Sequence, residues 1–183
     1  MRRLLDAGVQ VFETRGYHAA RVDDIVKLAR TSHGTFYLYF SNKEDLFRAL
    51  AQEVGDALES LAGSLPPLGP DGDRRAVLRE WVARFADVYD QYGAIVRAWT
   101  EAEIGTHEFG RLGTEVFTRF TVTFTERISG ALPAGVDPAI AALALVAMIE
   151  RMNYYVLSKQ VHVSRDQMID TLTDVMHKAL VTT

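Results

Sequence analysis

The chain has no cysteine among its 183 residues, which removes disulfides, thiolate metal sites and thiol nucleophiles together. That absence also fits a reducing compartment. No basic n-region precedes an apolar h-region, so no signal peptide is expected. Long apolar runs are scarce, and the most apolar, Ala139 to Ile149, is too short to span a bilayer. The five histidines stand apart, and none has a metal-ligand spacing such as H-E-x-x-H. There is no Gly-rich phosphate loop and no nucleophile elbow. Glu101 and Glu103 form a close acid pair, but two residues apart on a helix they point to different faces. No enzyme, metal site or cofactor is therefore expected, and the absent signal and membrane segments suggest a cytoplasmic protein.

Basic charge is also limited. The net charge of −4 argues against polyanion binding by the whole surface. Its distribution is uneven, however. Residues 1–50 balance at +2 and residues 51–183 at −6. An acidic body with a mildly basic head suits a protein that meets a polyanion at one end. Apolar content of 48% with 24% charged is ordinary for a globular chain, and the length allows one or two domains with a substantial core.

The organising stretch is Val22 to Phe40, which reads as two short helices joined by a tight turn. Val22, Ile25, Val26 and Ala29 give the first helix an apolar face, with Asp23 and Asp24 at its positive end. Ser32 is placed to cap the second helix, which starts at His33 and turns aromatic toward Tyr39. This is the unit that lays its second helix in a DNA major groove. From spacing alone it is equally any hairpin of a helical domain.

The flanking residues extend the pattern: Leu4-Leu5-Asp6-Ala7, Val11-Phe12, Arg15-Gly16-Tyr17, Val22-Asp23-Asp24-Ile25, Gly34 to Phe40, and Asn42 to Leu46. In this order and without gaps, residues 2–50 closely resemble the DNA-binding head of the tetracycline-repressor (TetR) family. The resemblance implies an all-α homodimer that represses transcription on double-stranded DNA and lets go when a small molecule binds its body. It implies an N-terminal three-helix helix-turn-helix domain at residues 1–45 and a C-terminal ligand-binding and dimerisation domain at 46–183. It also carries over DNA-contact roles. Ser32, His33 and Thr35 lie at the recognition-helix start, Gly34 allows close approach, and Tyr37, Tyr39 and Lys43 face phosphates. Two positions depart from the family. Arg21 stands where Ser or Thr is usual, so a helix cap is missing, and Arg30 stands where the turn usually has Gly. Arg2 and Arg3 read equally as the remnant of a basic arm or as a surface pair.

Arg2 to Thr14 is predicted to be a helix carrying Leu4, Leu5, Val9 and Phe12, ended by Gly16 as a left-handed cap. Lys43 to about Ser64 forms a long helix that runs into the linker Pro66 to Gly72. Further helices are predicted from Asp73 to Tyr92, in a short stretch after a break at Gly93, and from Glu108 to Ile128 after a break at Gly105-Thr106. The last two run from Asp137-Pro138 to about Ser158, and from Ser164 to Leu180. Large side chains at helical spacing suggest a cavity for a hydrophobic effector: Trp81, Phe85, Tyr89, Trp99, Phe117, Phe120, Phe124, Met148 and Met152. Thr121, Glu150 and Asn153 would supply isolated polar contacts. The last two helices are apolar beyond the needs of one face. Ile140, Leu143, Ala144, Ala147, Arg151 and Tyr155, with Met168, Leu172, Val175 and Met176, are the expected dimer interface. No membrane partner is expected. The rival reading is a helical small-molecule carrier that does not bind DNA. A corepressor-dependent regulator or an activator is a further alternative.

Overall fold

The computed structural model describes residues 1–68, 72–103 and 107–180, with side chains described except at 98–103, 107–110 and 112. Eight α-helices follow in order among these residues: α1 (Arg2–Ala19), α2 (Val22–Leu28), α3 (His33–Tyr37), α4 (Lys43–Ser64), α5 (Arg74–Glu103), α6 (His107–Ile128), α7 (Pro138–Leu157) and α8 (Arg165–Leu180). A short 3-10 turn at Ser129–Ala131 follows α6, and no strand occurs among the described residues. The chain divides into two compact units. The first comprises Met1–Asp56 with Tyr92–Glu115, and the second comprises Ala57–Gln91 with Val116–Thr183.

In the first unit, α1 buries Leu4, Leu5, Ala7, Gly8, Val11 and Phe12. Val11 takes the place expected for Val9, which is only half-buried. At Gly16 the backbone leaves the helix with φ 72° and ψ 166°. The positive φ explains the glycine, but the ψ is extended, so Gly16 is not the left-handed cap expected of it. Phe12 and Tyr17 each pack edge-on to Phe47 and tilted against each other, with ring centroids 4.9 to 5.7 Å apart. Phe36, Ile25 and Leu46 are fully buried. α4 starts at a side-chain cap, where the Asp45 amide donates to Asn42 Oδ1 at 2.8 Å.

The second unit closes over a core that includes Leu65, Leu78, Trp81, Phe85, Phe124, Ile128, Ile149, Met168 and Met176. Gly93 does not break a helix, because α5 runs through it to Glu103. A single helical glycine costs about 1 kcal/mol, which a buried position in a long helix tolerates. Crossed ion pairs join α5 to α8: Arg75–Asp174 and Arg79–Asp170, both at 2.7 Å, and Arg165 with Asp87 and Asp90. Their order along the two helices makes these stretches antiparallel. α7 begins as its sequence requires. Asp137 Oδ1 accepts from the amides of Ala139 and Ile140, with Pro138 at the first helical position. α8 starts at a reciprocal box in which Ser164 and Gln167 exchange side-chain-to-amide bonds.

α7 has 20 residues and, by length and composition, is apolar enough to cross a membrane, although the apolar run inside it is not. Here Ala142, Leu145, Val146, Ile149 and Asn153 form a stripe buried in the second unit.

Candidate functional site

α3 has only five residues, so its own hydrogen bonds cannot hold it in place. It is fixed at both ends. Ser32 caps it, with Oγ accepting from the Thr35 amide at 3.1 Å and lying 3.0 Å from the Thr35 hydroxyl. Phe36 (0% exposed) and Phe40 (5%) anchor its inner side in the core. Between these anchors, Tyr37, Leu38 and Tyr39 turn to solvent at 58%, 80% and 50% exposure. Three large side chains in a row gain nothing there from folding.

The other predicted contact residues take definite positions. His33 Nε2 lies 2.6 Å from Asp23 Oδ1, which ties the start of α3 to α2. A Cβ at Gly34 would meet only Ser32 Oγ, at 3.6 Å. Packing therefore does not require glycine at this position. Lys43 is drawn inward. Its Nζ donates to the carbonyls of Tyr17 and His18, at 2.8 and 3.5 Å, and sits 4.5 Å from the centre of the Tyr17 ring. The ammonium thus closes the end of α1 and is not held out toward solvent. Arg2 bonds Asp6 and Glu53, and Arg3 bonds the Ala29 carbonyl, so both brace helices and neither forms a free arm.

Both departures at the turn are visible. Arg21 makes no side-chain cap on α2, and Arg30 adopts φ 52°. A non-glycine residue in that region carries strain of about 1 kcal/mol. Asp24, paired with Arg15 at 3.2 Å, has a second carboxylate oxygen that is buried without a partner.

In the second unit five of the predicted effector-wall residues form a buried column of rings. Trp81 stacks on Phe124 at 4.8 Å, and Phe120 lies parallel to Phe124 at 6.1 Å. Phe85 and Tyr89 extend the column. All five are at most 5% exposed. Trp81 Nε1 donates to the Leu61 carbonyl at 2.8 Å, and the Tyr89 hydroxyl donates to Glu150 at 3.0 Å. Met148 and Met152 are half-buried against this core. Phe117 is a correction. At 48% exposed it faces outward from α6, away from the column. The Trp99, Glu101 and Glu103 side chains and the break at Gly105-Thr106 lie outside what is described. No group of three or more potential metal ligands occurs among the described residues.

The expected dimer face also divides. Ile140, Leu143, Ala144, Ala147, Arg151, Tyr155 and Val175 are exposed. Met168, Leu172 and Met176 are not, at 3%, 3% and 0%. These three belong to the core of their own unit and have no surface left for a second chain.

A capped, core-anchored short helix that holds its large side chains in solvent is built to present them to another molecule. Preceded by α2 and a four-residue turn, it defines a helix-turn-helix transcriptional regulator. The chain belongs to the TetR family. Residues 4–50 match the family model "Bacterial regulatory proteins, tetR family", and residues 78–181 match "Transcriptional regulator EthR, C-terminal domain". The HTH-type regulator EthR of Mycolicibacterium smegmatis is 26% identical over 94% of this chain and 82% of its own. The fatty acid metabolism regulator protein of Bacillus subtilis is 42% identical, but only over 32% of this chain. The chain spans about a third of that relative and of two further B. subtilis regulators it matches. Among solved structures, FadR of B. subtilis in complex with stearoyl-CoA shares the fold with a TM-score of 0.72, at 20% identity and coverage of 99% and 97%. Salmonella enterica GusR does so at 0.72, with 24% identity and coverage of 98% and 94%.

Proposed function

We propose that the chain is a ligand-responsive repressor that binds a palindromic or pseudo-palindromic operator as a dimer and is released by a hydrophobic small molecule. The observation that carries this reading is the exposed Tyr37-Leu38-Tyr39 edge of α3, held out by buried Phe36 and Phe40. His33 and Thr35 at the helix start read base edges, and the hydroxyls of Tyr37 and Tyr39 donate to phosphate oxygens. DNA binding is assigned to residues 1–45, and effector binding with dimerisation to 46–183.

The outward stripe of α7, with Val175 of α8, supplies the dimer contact. It places two heads about 34–36 Å apart or somewhat wider, one turn of DNA. The effector is an acyl-type or other largely apolar molecule received at the aromatic column and Met148–Met152. FadR of B. subtilis, solved with stearoyl-CoA, supports that chemistry. As a cytoplasmic regulator the chain needs no membrane partner. The test is a mobility shift on the DNA upstream of its own gene, repeated with acyl compounds of increasing length. Binding that long apolar compounds abolish is the expected result. Binding that appears only with the compound marks a corepressor, and ligand binding without any DNA binding marks a carrier.

A further inference from the structure

The eight Lys/Arg side chains of residues 1–56 are not equivalent. Arg2 is bonded to Asp6 and Glu53, Arg3 to a carbonyl, Arg15 to Asp24, Arg48 to Asp45, and Lys43 to two carbonyls. Among the described residues of this stretch, Arg21, Lys27 and Arg30 make no side-chain bond or ion pair, and all three are exposed. They are consecutive cations in the sequence and bracket α2. Arg21 precedes it, Lys27 lies in its last turn, and Arg30 forms the bend into α3. The bond from His33 to Asp23 marks the side of α2 that adjoins the start of α3. Lys27 lies four residues after Asp23, on that same face.

Two of the three work against folding. Arg21 leaves the first amides of α2 without a side-chain cap, and Arg30 holds a backbone conformation that suits glycine. Neither guanidinium gains an intramolecular partner in exchange. Residues that strain a fold without internal return cluster at functional sites. A free cation beside a DNA-reading helix can neutralise a phosphate and release its counterion, whereas a cation already paired releases little.

We propose that Arg21, Lys27 and Arg30 form the phosphate-gripping row of this protein, holding the DNA backbone beside the groove that α3 enters. In the DNA-free chain the Lys43 ammonium is engaged at the end of α1, which these three cations are not. The inference rests on the repressor reading above.

Two substitutions separate charge from folding. Arg30→Gly relaxes the positive φ, and Arg21→Ser restores a cap, so both variants should melt higher than the wild type while binding DNA less tightly. A misfolded variant cannot produce that combination. The probe is a random-sequence duplex of about 30 base pairs, titrated by fluorescence anisotropy against the full chain from about 50 to about 200 mM salt. Each variant, Lys27→Gln included, should flatten the slope of log affinity on log salt by about 0.9 per chain. The affinity lost over that fourfold rise in salt then shrinks about 3.5-fold per site. Unchanged slopes in all three variants overturn the row, as does a loss seen only in Lys43→Gln. Wild-type protein that binds no duplex at about 50 mM salt refutes the repressor reading itself, and the row with it.

Discussion

Replacing Gly8 by alanine sets two effects of similar size against each other, and packing decides between them. Gly8 lies inside α1 and is buried. In an unobstructed helix interior the change would stabilise by about 1 kcal/mol. Here the new methyl would stand 2.6 Å from Leu46 Cδ2 and 3.3 Å from Leu50 Cδ1. Comfortable carbon contacts need about 3.5–4.0 Å. Leu46 and Leu50 are both 0% exposed, so neither has open space into which to rotate. Overpacking of this kind costs about 1–3 kcal/mol. The net effect should therefore fall between neutral and about 2 kcal/mol destabilising. Gly63 in α4 is the control, because it is exposed and a methyl there meets nothing within 4 Å. Gly63→Ala should stabilise by up to about 1 kcal/mol, a rise in Tm of up to about 2–4 °C. Urea unfolding followed by helical circular dichroism, with the m-value checked for constancy, reads both variants. If Gly8→Ala proved as stabilising as Gly63→Ala, the close approach of α1 to Leu46 and Leu50 would be refuted.

Three other outcomes follow from single sites. Burial first, then the Glu44 carboxylate, pushes the Tyr17 hydroxyl up to about 12. The unfolded chain ionises that group near pH 10, so the stability it protects is whole below about pH 10 and is lost as pH rises through about 12. Tyr17→Phe should lessen this alkaline loss in a Tm-against-pH series, and an unchanged profile would count against it. Phe120→Ala should cost about 3–5 kcal/mol, because the ring is 3% exposed and lies parallel to both Trp81 and Phe124. A loss under about 1 kcal/mol in denaturant unfolding would show that the column is loosely packed. Leu143→Glu, at a position 44% exposed, should yield monomers with little change in the protein's own core. Sedimentation that still shows dimers at micromolar concentration would remove α7 from the interface.

Legibility in the sequence followed how local the cause was. The caps at Ser32 and Asp137 were readable because each depends on one side chain and the next two or three amides. Helix α3 was readable because its residues match a family in order. Gly93 misled, since a glycine signals a break only when nothing else holds the helix, and the length of α5 overrides it. Phe117 misled for a related reason. It lies three residues from Phe120 on α6, but a stripe of rings does not say where the buried arc ends. The apolar surplus of the last two helices was real. Its division between core (Met168, Leu172, Met176) and surface (Ile140, Leu143, Val175) depends on neighbours far away in sequence. The bond from Lys43 to the Tyr17 and His18 carbonyls joins residues about 25 positions apart, and no local pattern announces it.

The buried aromatic column constrains what kind of effector could work. Rings at helical spacing can mean either a cavity wall or a packed core, and burial of Trp81, Phe85, Phe120 and Phe124 to 4% or less makes them core in this state. A ligand that enters between them parts stacked rings, and each separated pair forfeits about 0.5–1.5 kcal/mol beyond the area it uncovers. Apolar ligand surface returns about 25 cal/mol per Å² removed from water. Some tens of Å² are therefore consumed in offsetting each parted pair before any net affinity appears. A short or polar compound has too little surface to spare, and a long apolar chain has several times the amount needed. Glu150 strengthens the distinction. It is the carboxylate that accepts from Tyr89 at one end of the column, and an anionic group buried beside it would meet like charge. On the proposed reading, the effector that fits these constraints is an extended hydrophobic chain whose polar end stays in water. Its effect on DNA binding then depends on how much more tightly it holds the opened column than the closed one.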